Sequence, residues 1–240
     1  MKTIALFLGI ALCIISCKCQ EQSNINQNNE KMIIKQFDTA AFHAKKRSWY
    51  EFINAEGMKV MHEVHYDTSG RVKAYYERMR YPNSPFETVY VYAPEGYLRT
   101  TYQNFSNISI GFYKRLDREG NIIEQKNYDA PYPFTVEMLI EKMQKEYEID
   151  LLTISEKFTE SIVSRYVEEK YLHIPLYTVR YFGSQDVYIY IYLIDGNTGK
   201  TLYISRMIKD GLESTVKDGT ELLPRKPLVL EYLDSLKEQE

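Results

Sequence analysis

Apolar and polar residues alternate along much of the chain, in short runs separated by residues typical of turns. An alternation with a period of two is typical of β-strands that have one buried face. The predicted strands are Trp49–Ile53, Lys59–Tyr66, Phe158–Glu168, Leu172–Phe182, Val187–Ile194 and Lys200–Met207. The strand from Val187 is the clearest, with Val, Ile and Leu on one face and tyrosine on the other until Ile194. The pattern therefore indicates a mainly β protein.

Three stretches are predicted to be helical. They are Asp38–Lys46, Thr135–Glu148 and Leu228–Lys237. Asp38 or Thr39 would cap the first and Thr135 the second, because their side-chain oxygens can accept hydrogen bonds from the free N–H groups of a first turn. The second helix carries an apolar stripe on one face: Val136, Leu139, Ile140, Met143 and Tyr147. We expect this stripe to pack on the sheet formed by the strands that follow it.

A glycine turn recurs between the first predicted strands and the second helix. Gly70, Gly96 and Gly120 are 26 and 24 positions apart, and each is followed two residues later by an apolar residue. Glycine allows the positive φ at which a hairpin reverses. A repeat of one turn per period predicts an array of hairpins, each packing on its neighbours. The predicted fold class is α+β, with a mostly antiparallel hairpin array followed by a helix packed on an antiparallel sheet.

The repeated units resemble the MORN-like variant repeats of bacterial "antitoxin component" proteins. Ile110–Arg115 resembles the lead-in I-G-x-W/Y-K of that motif, and Gly120–Glu124 resembles G-N-L-I. The whole segment Phe37–Phe134 is similar to a group of proteins from Bacteroidetes. Farther along, Leu193–Leu202 resembles the strand–turn–strand of PepSY-type domains. MORN-like repeats are scaffolds, so the resemblance implies partner binding and implies no catalytic residues.

The N-terminus resembles that of a bacterial lipoprotein. A basic start precedes an apolar run that is too short for an ordinary membrane span, and Ser16 then precedes Cys17. In the lipobox this cysteine is diacylated and becomes the new N-terminus, so Cys17 is the predicted lipidation site. A plain secretory signal or an uncleaved anchor is the alternative. The resemblance implies a lipid anchor in a bacterial membrane of the cell envelope, on its periplasmic side or at the cell surface.

Four regions follow from these patterns: a signal peptide at 1–16, a lipidated flexible tether at 17–31, the repeat region at 32–134 and a helix-on-sheet region with a C-terminal helix at 135–240. The tether is predicted because residues 18–30 are almost entirely Gln, Asn, Glu, Ser and Lys. Of the three cysteines, only Cys19 would remain beside the lipidated one. The folded part is therefore expected to hold no disulfide and no cysteine metal site.

The net charge is −3, and the sequence has no basic stripe of the kind that nucleic-acid-binding proteins carry. No nucleic-acid partner is therefore expected. The 22 tyrosines suit half-buried sheet faces, and tyrosine also favours protein contacts. His62 and His65 would point to opposite faces of a strand, which does not suit a metal site. Asp195–Gly199 has the residues of a hairpin turn and lacks the spacing of a calcium loop. We therefore expect no metal, no cofactor and no enzymatic activity.

Three functions stay open at this point. The first is an immunity or antitoxin-like binding protein that neutralises a toxin, with a contact surface near Tyr75, Tyr76, Tyr97 and Tyr102. The second is a structural or scaffold lipoprotein that binds envelope polymer or another envelope protein. The third is a hydrolase whose catalytic groups form no recognisable motif, since G-x-S-x-G does not occur in the chain.

Overall fold

The computed structural model describes residues 35–153, 161–182, 188–208 and 226–238. In the first of these segments, seven strands form one antiparallel sheet in which each strand pairs with the next along the chain. They are β1 (Trp49–Ile53), β2 (Lys59–Tyr66), β3 (Val72–Arg80), β4 (Phe86–Tyr92), β5 (Leu98–Phe105), β6 (Ile108–Leu116) and β7 (Ile122–Asn127). This meander confirms the predicted hairpin array.

A second antiparallel sheet has the order β11-β10-β9-β8. Its strands are β8 (Ser161–Glu168), β9 (Ile174–Phe182), β10 (Tyr188–Asp195) and β11 (Thr201–Ile208). The helices are α1 (Thr39–Ala44), α2 (Val136–Tyr147) and α3 (Leu228–Lys237). The α+β class, mostly antiparallel, is confirmed. The predicted signal peptide, the tether, Cys17 and the turn at 183–186 lie outside the described residues.

Two predicted boundaries are wrong by two residues each. The first helix ends at Ala44, because Lys46 has a left-handed φ of 52° that a helix cannot contain. Strand β9 begins at Ile174, because Leu172 belongs to a turn. The Glu168 carboxylate organises this turn by accepting backbone N–H groups of Lys170, Tyr171 and Leu172 at 3.1, 2.7 and 2.6 Å.

The repeated glycines close three turns of the same kind, at φ values of 79°, 91° and 86° for Gly70, Gly96 and Gly120. Each glycine N–H donates to the carbonyl three residues earlier, at 2.9 to 3.2 Å. The strand pairing shifts by one residue beside each turn, as in a hairpin with a glycine bulge. Because the turns join alternate strand pairs, all three lie at one end of the sheet.

One face of the seven-stranded sheet is covered by α1 and the residues before it. Phe37 and Phe42 pack there on a cluster of strand side chains: Val64, Tyr75, Tyr92, Leu98 and Leu116. Phe37 N–H also donates to the Gly96 carbonyl at 2.8 Å, which attaches the incoming chain to the middle glycine turn. We call this side of the sheet the covered face.

A second core joins the two sheets. The helix residues Val136, Leu139 and Met143 lie in one buried cluster with Val163, Tyr177, Val179, Tyr192 and Ile194 of the four-stranded sheet. The same cluster contains Phe105, Ile108 and Ile110 of β5 and β6. The predicted stripe of α2 therefore packs as expected. The other side of the four-stranded sheet packs on α3 through Val229, Leu176 and Leu193. Among the described residues, no helix has the length and apolar character needed to cross a membrane.

The repeats offer a matched test of how the incoming chain is held. A Cβ at Gly96 would lie 2.7 Å from the Phe37 carbonyl oxygen, whereas a Cβ at Gly70 would meet nothing within 4 Å. Both positions have positive φ, so Gly70→Ala and Gly96→Ala share a backbone cost of about 1–2 kcal/mol. We expect the free energy of unfolding, measured in urea, to be about 2 kcal/mol lower for Gly96→Ala than for Gly70→Ala, because Phe37 must move. Equal losses would show that this contact does not hold the chain.

Candidate functional site

The face of the seven-stranded sheet opposite α1 carries a continuous set of aromatic and charged side chains. We call it the open face and define it by these residues: Glu63, Tyr76, Arg78, Glu87, Tyr102, Tyr113, Arg115, Glu124 and Tyr128. Cross-strand register places them together, since Glu63 lies opposite Tyr76, and Arg78 and Tyr102 both lie opposite Val89. Within the described residues, no helix packs on this side.

The centre of the open face has a floor of small apolar residues. Ala74, Val89 and Val91 are buried, and the rings of Tyr76 and Tyr102 pack against them. The rings are themselves half-buried. They are held by this packing, so little side-chain entropy remains to be lost when a partner binds.

Three tyrosines continue as a row across β5, β6 and the chain after β7. The rings of Tyr102 and Tyr113 are stacked with their centroids 6.5 Å apart, and Tyr113 meets Tyr128 edge-on at 6.4 Å. Lys126 Nζ lies 4.8 Å from the centroid of the Tyr128 ring. The row forms an aromatic platform with cationic and hydroxyl groups at its margin.

Ion pairs flank the tyrosines. Arg78 Nη1 donates to Glu87 at 3.1 Å, its Nε lies 4.0 Å from Glu63, and its guanidinium lies 5.7 Å from the centre of the Tyr76 ring. Burial raises the pKa of Tyr102, and the neighbouring Arg78 charge only partly opposes this, so the hydroxyl stays protonated. The face thus combines rigid rings with oriented donors and acceptors, the composition found at protein interfaces.

The structure separates the four tyrosines that the sequence grouped. Tyr76 and Tyr102 lie on the open face. Tyr75 does not: it is 2% exposed, and its ring stacks on Phe37 at 4.9 Å on the covered face. Its predicted exposure is wrong because successive side chains of a strand point to opposite faces. Tyr97 lies beside the middle glycine turn and forms an isolated antiparallel β-bridge with Gln36. The centre of its ring lies 5.8 Å from the Arg118 guanidinium.

Sequence reasoning missed Arg78, Tyr113 and Tyr128. The repeat did contain a signal for part of this face. Tyr76 and Tyr102 each come six residues after the repeat glycine, and Lys126 occupies that position in the third unit. Equivalent positions of stacked repeats lie on the same face, so this spacing predicts that Tyr76, Tyr102 and Lys126 share a face.

A polar cluster is buried on the covered face around Glu77, which is 9% exposed. His62 Nε2 lies 2.9 Å from its Oε2, Tyr92 donates to Oε1 at 3.4 Å, and Lys35 pairs with Oε1. The Tyr50 hydroxyl lies 2.9 Å from His62 Nδ1. With a neutral imidazole, Tyr50 donates to His62 and His62 donates to Glu77.

This hydroxyl–imidazole–carboxylate chain links β1, β2 and β3. Burial raises the pKa of Tyr50, and the Asp38 and Glu77 carboxylates raise it further, so the hydroxyl stays protonated. His65 lies on the opposite side of the sheet, 4.3 Å from the Tyr76 ring, as the strand prediction required. In the part of the chain that the structure describes, no group of three or more His, Cys, Asp or Glu could hold a metal ion.

Comparison of the chain with protein-family models, with curated proteins and with solved structures finds no match. The MORN-like and PepSY-like resemblances therefore stay predictions. A functional proposal therefore rests on the geometry of the open face.

Proposed function

We propose that the protein is a lipid-anchored, envelope-exposed binding protein of the immunity or antitoxin type, which neutralises a toxin by protein–protein contact. The observation that carries the proposal is the open face, where packed tyrosines and paired charges line one side of a seven-stranded sheet. Contact surfaces of this composition bind proteins without a cofactor or a chemical step. The proposal includes no nucleic-acid partner and no catalysis.

Lys35, the first described residue, pairs with Glu77 and so lies on the covered face, on the side of the sheet opposite the open face.

A co-culture experiment tests the proposal. Cells lacking the protein are grown beside kin that carry the complete locus. In a second measurement, the full chain is expressed together with the adjacent gene and purified. We expect the deletion strain to be outcompeted and the adjacent gene product to co-purify. Equal fitness of the deletion strain beside its kin would contradict the toxin-neutralising role.

The tyrosine row favours a second candidate function, a scaffold lipoprotein that binds envelope polymer. Stacked aromatic rings bordered by charged donors also suit the flat faces of sugar rings, and Tyr102, Tyr113 and Tyr128 form such a platform. Pull-down of the full chain on purified peptidoglycan separates the two roles. Retention that is lost in Tyr113→Ala, with normal fitness of the deletion strain, would favour the polymer.

A further inference from the structure

Strand β1 is an edge of the seven-stranded sheet with unusually exposed side chains. Trp49, Phe52 and Ile53 are 56%, 42% and 59% exposed. Among the described residues, no strand pairs with its outer side. Clefts of about 540 and 600 Å³ lie along it, lined in part by Arg47, Tyr50 and Glu51. Exposed edges of this kind are templates for pairing with another strand.

The ladder to β2 shows which backbone groups of β1 remain available. Val64 N–H donates to the Ser48 carbonyl at 2.9 Å, and Asn54 N–H donates to the Met58 carbonyl at 2.9 Å. Backbone groups alternate along an antiparallel strand, so the even-numbered residues bond to β2. The N–H and C=O groups of Trp49, Glu51 and Ile53 therefore point outward, two residues apart.

We propose that this edge pairs with β1 of a second copy of the chain, antiparallel and centred on Trp49. In that register Trp49 lies opposite Trp49 of the other copy, and Arg47 lies opposite Glu51, once on each side of the centre. The sequence Arg47-Ser48-Trp49-Tyr50-Glu51 is thus complementary to itself in charge. A register centred on Glu51 would instead oppose two carboxylates, which is unfavourable across strands.

The symmetry of such a pair has a consequence for the open face. The two-fold axis of an antiparallel strand pair is perpendicular to the sheet, so each copy keeps the same face on the same side. Both open faces would lie on one side of the joined sheets and both Lys35 residues on the other. Two binding faces on one side would increase avidity for a partner that is itself multivalent. Dimerisation itself does not depend on the proposed function.

The first test measures association of the full chain, purified in mild detergent, by sedimentation velocity over a range of concentrations. Trp49 is the chain's one tryptophan, so its emission reports this edge directly. We expect a dimer at high concentration, with Trp49 emission shifted to shorter wavelength as dimers form. A monomer at every soluble concentration would overturn the proposal.

Two single proline variants locate the interface. Glu51→Pro removes an outward N–H and leaves the bonds to β2 intact, so we expect the variant to stay folded and monomeric. Gln125→Pro is the control, because Gln125 has the same outward position on β7, the other edge of the sheet. It should dimerise as the unmodified chain does. Loss of the dimer in Gln125→Pro, or a dimer in Glu51→Pro, would overturn the assignment to β1.

Charge-reversal variants test whether the partner strand is β1 of a second copy and whether the register is centred on Trp49. Arg47→Glu and Glu51→Arg each set like charges opposite one another at two sites of the dimer, and each should weaken association about tenfold or more. The double variant restores both pairs and should recover most of the affinity. Glu51 also pairs with Lys59 at 2.9 Å; Glu51→Arg and the double variant lose that contact alike, whereas Arg47→Glu keeps it. Failure of the double variant to recover would exclude this pairing between copies.

Discussion

Arg165→Met is expected to destabilise the protein by about 3 kcal/mol, because it removes the charged group that joins the two sheets. The Arg165 side chain is 6% exposed. It donates to Asp129 at 2.8 Å and to the Ser109 carbonyl of β6, and its guanidinium lies 4.5 Å from the centre of the Tyr132 ring. The variant keeps the apolar stem but leaves these acceptors without their donor. Urea unfolding at constant pH measures the loss.

Arg115→Met is the matched control for Arg165→Met. Arg115 pairs with Glu124 at 2.9 Å, but both side chains are about half exposed, and such pairs contribute at most about 1 kcal/mol. Arg165→Lys should fall between the two, since an ammonium group cannot reproduce the planar fork that reaches two acceptors. Equal losses in Arg165→Met and Arg115→Met would show that the junction between the sheets does not depend on this side chain.

Glu77→Gln is expected to cost about 2–3 kcal/mol at neutral pH. The amide keeps the shape of the carboxylate, but only one of its two terminal atoms can accept a hydrogen bond. Either His62, which lies at Oε2, or Lys35 and Tyr92, which meet at Oε1, therefore lose their buried acceptor. Glu124→Gln makes the same change on an exposed strand of the same sheet and should cost at most about 1 kcal/mol. Similar losses at the two positions would contradict a structural role of the buried cluster.

The Glu77 contribution should also depend on pH. Burial alone would raise the pKa of Glu77, but hydrogen bonds and charge from His62 and Lys35 outweigh it and hold the pKa below its ordinary value of 4.5. A carboxyl group whose pKa is lowered in the folded state stabilises the protein at pH values above its ordinary pKa. This stabilisation is lost as the pH falls through the folded-state pKa. The stability difference between the unmodified chain and Glu77→Gln should therefore shrink below pH 4.5. A constant difference from neutral to acid pH would contradict this linkage.

Local chemistry explains why so much of the fold could be predicted. The glycines at 70, 96 and 120 fix the hairpin ends, because a left-handed backbone is needed at each one. Thr135 caps α2 by accepting the Met138 N–H at 3.3 Å, as its residue type indicated. Such features depend on a few neighbouring residues, so sequence alone was enough to find them.

Contacts between distant parts of the chain could not be predicted in the same way. Tyr75 and Tyr76 are equally aromatic, and only the packing of Phe37 and Phe42 decides which of them is buried. Arg165 acquires its role because β8 approaches β6, 56 residues earlier in the chain. The open face likewise depends on which side of the sheet α1 covers, which alternation within the strands leaves undetermined.

The co-culture experiment with variant chains tests whether the open face is the binding surface. Cells carrying Tyr102→Ala with Tyr113→Ala are compared with cells carrying Tyr81→Ala with Tyr171→Ala, two exposed tyrosines away from that face. Both proteins are first shown to be folded and equally abundant. We expect the open-face variant to fail to protect, as the deletion does, and the control variant to protect fully. Full protection by the open-face variant would contradict this expectation.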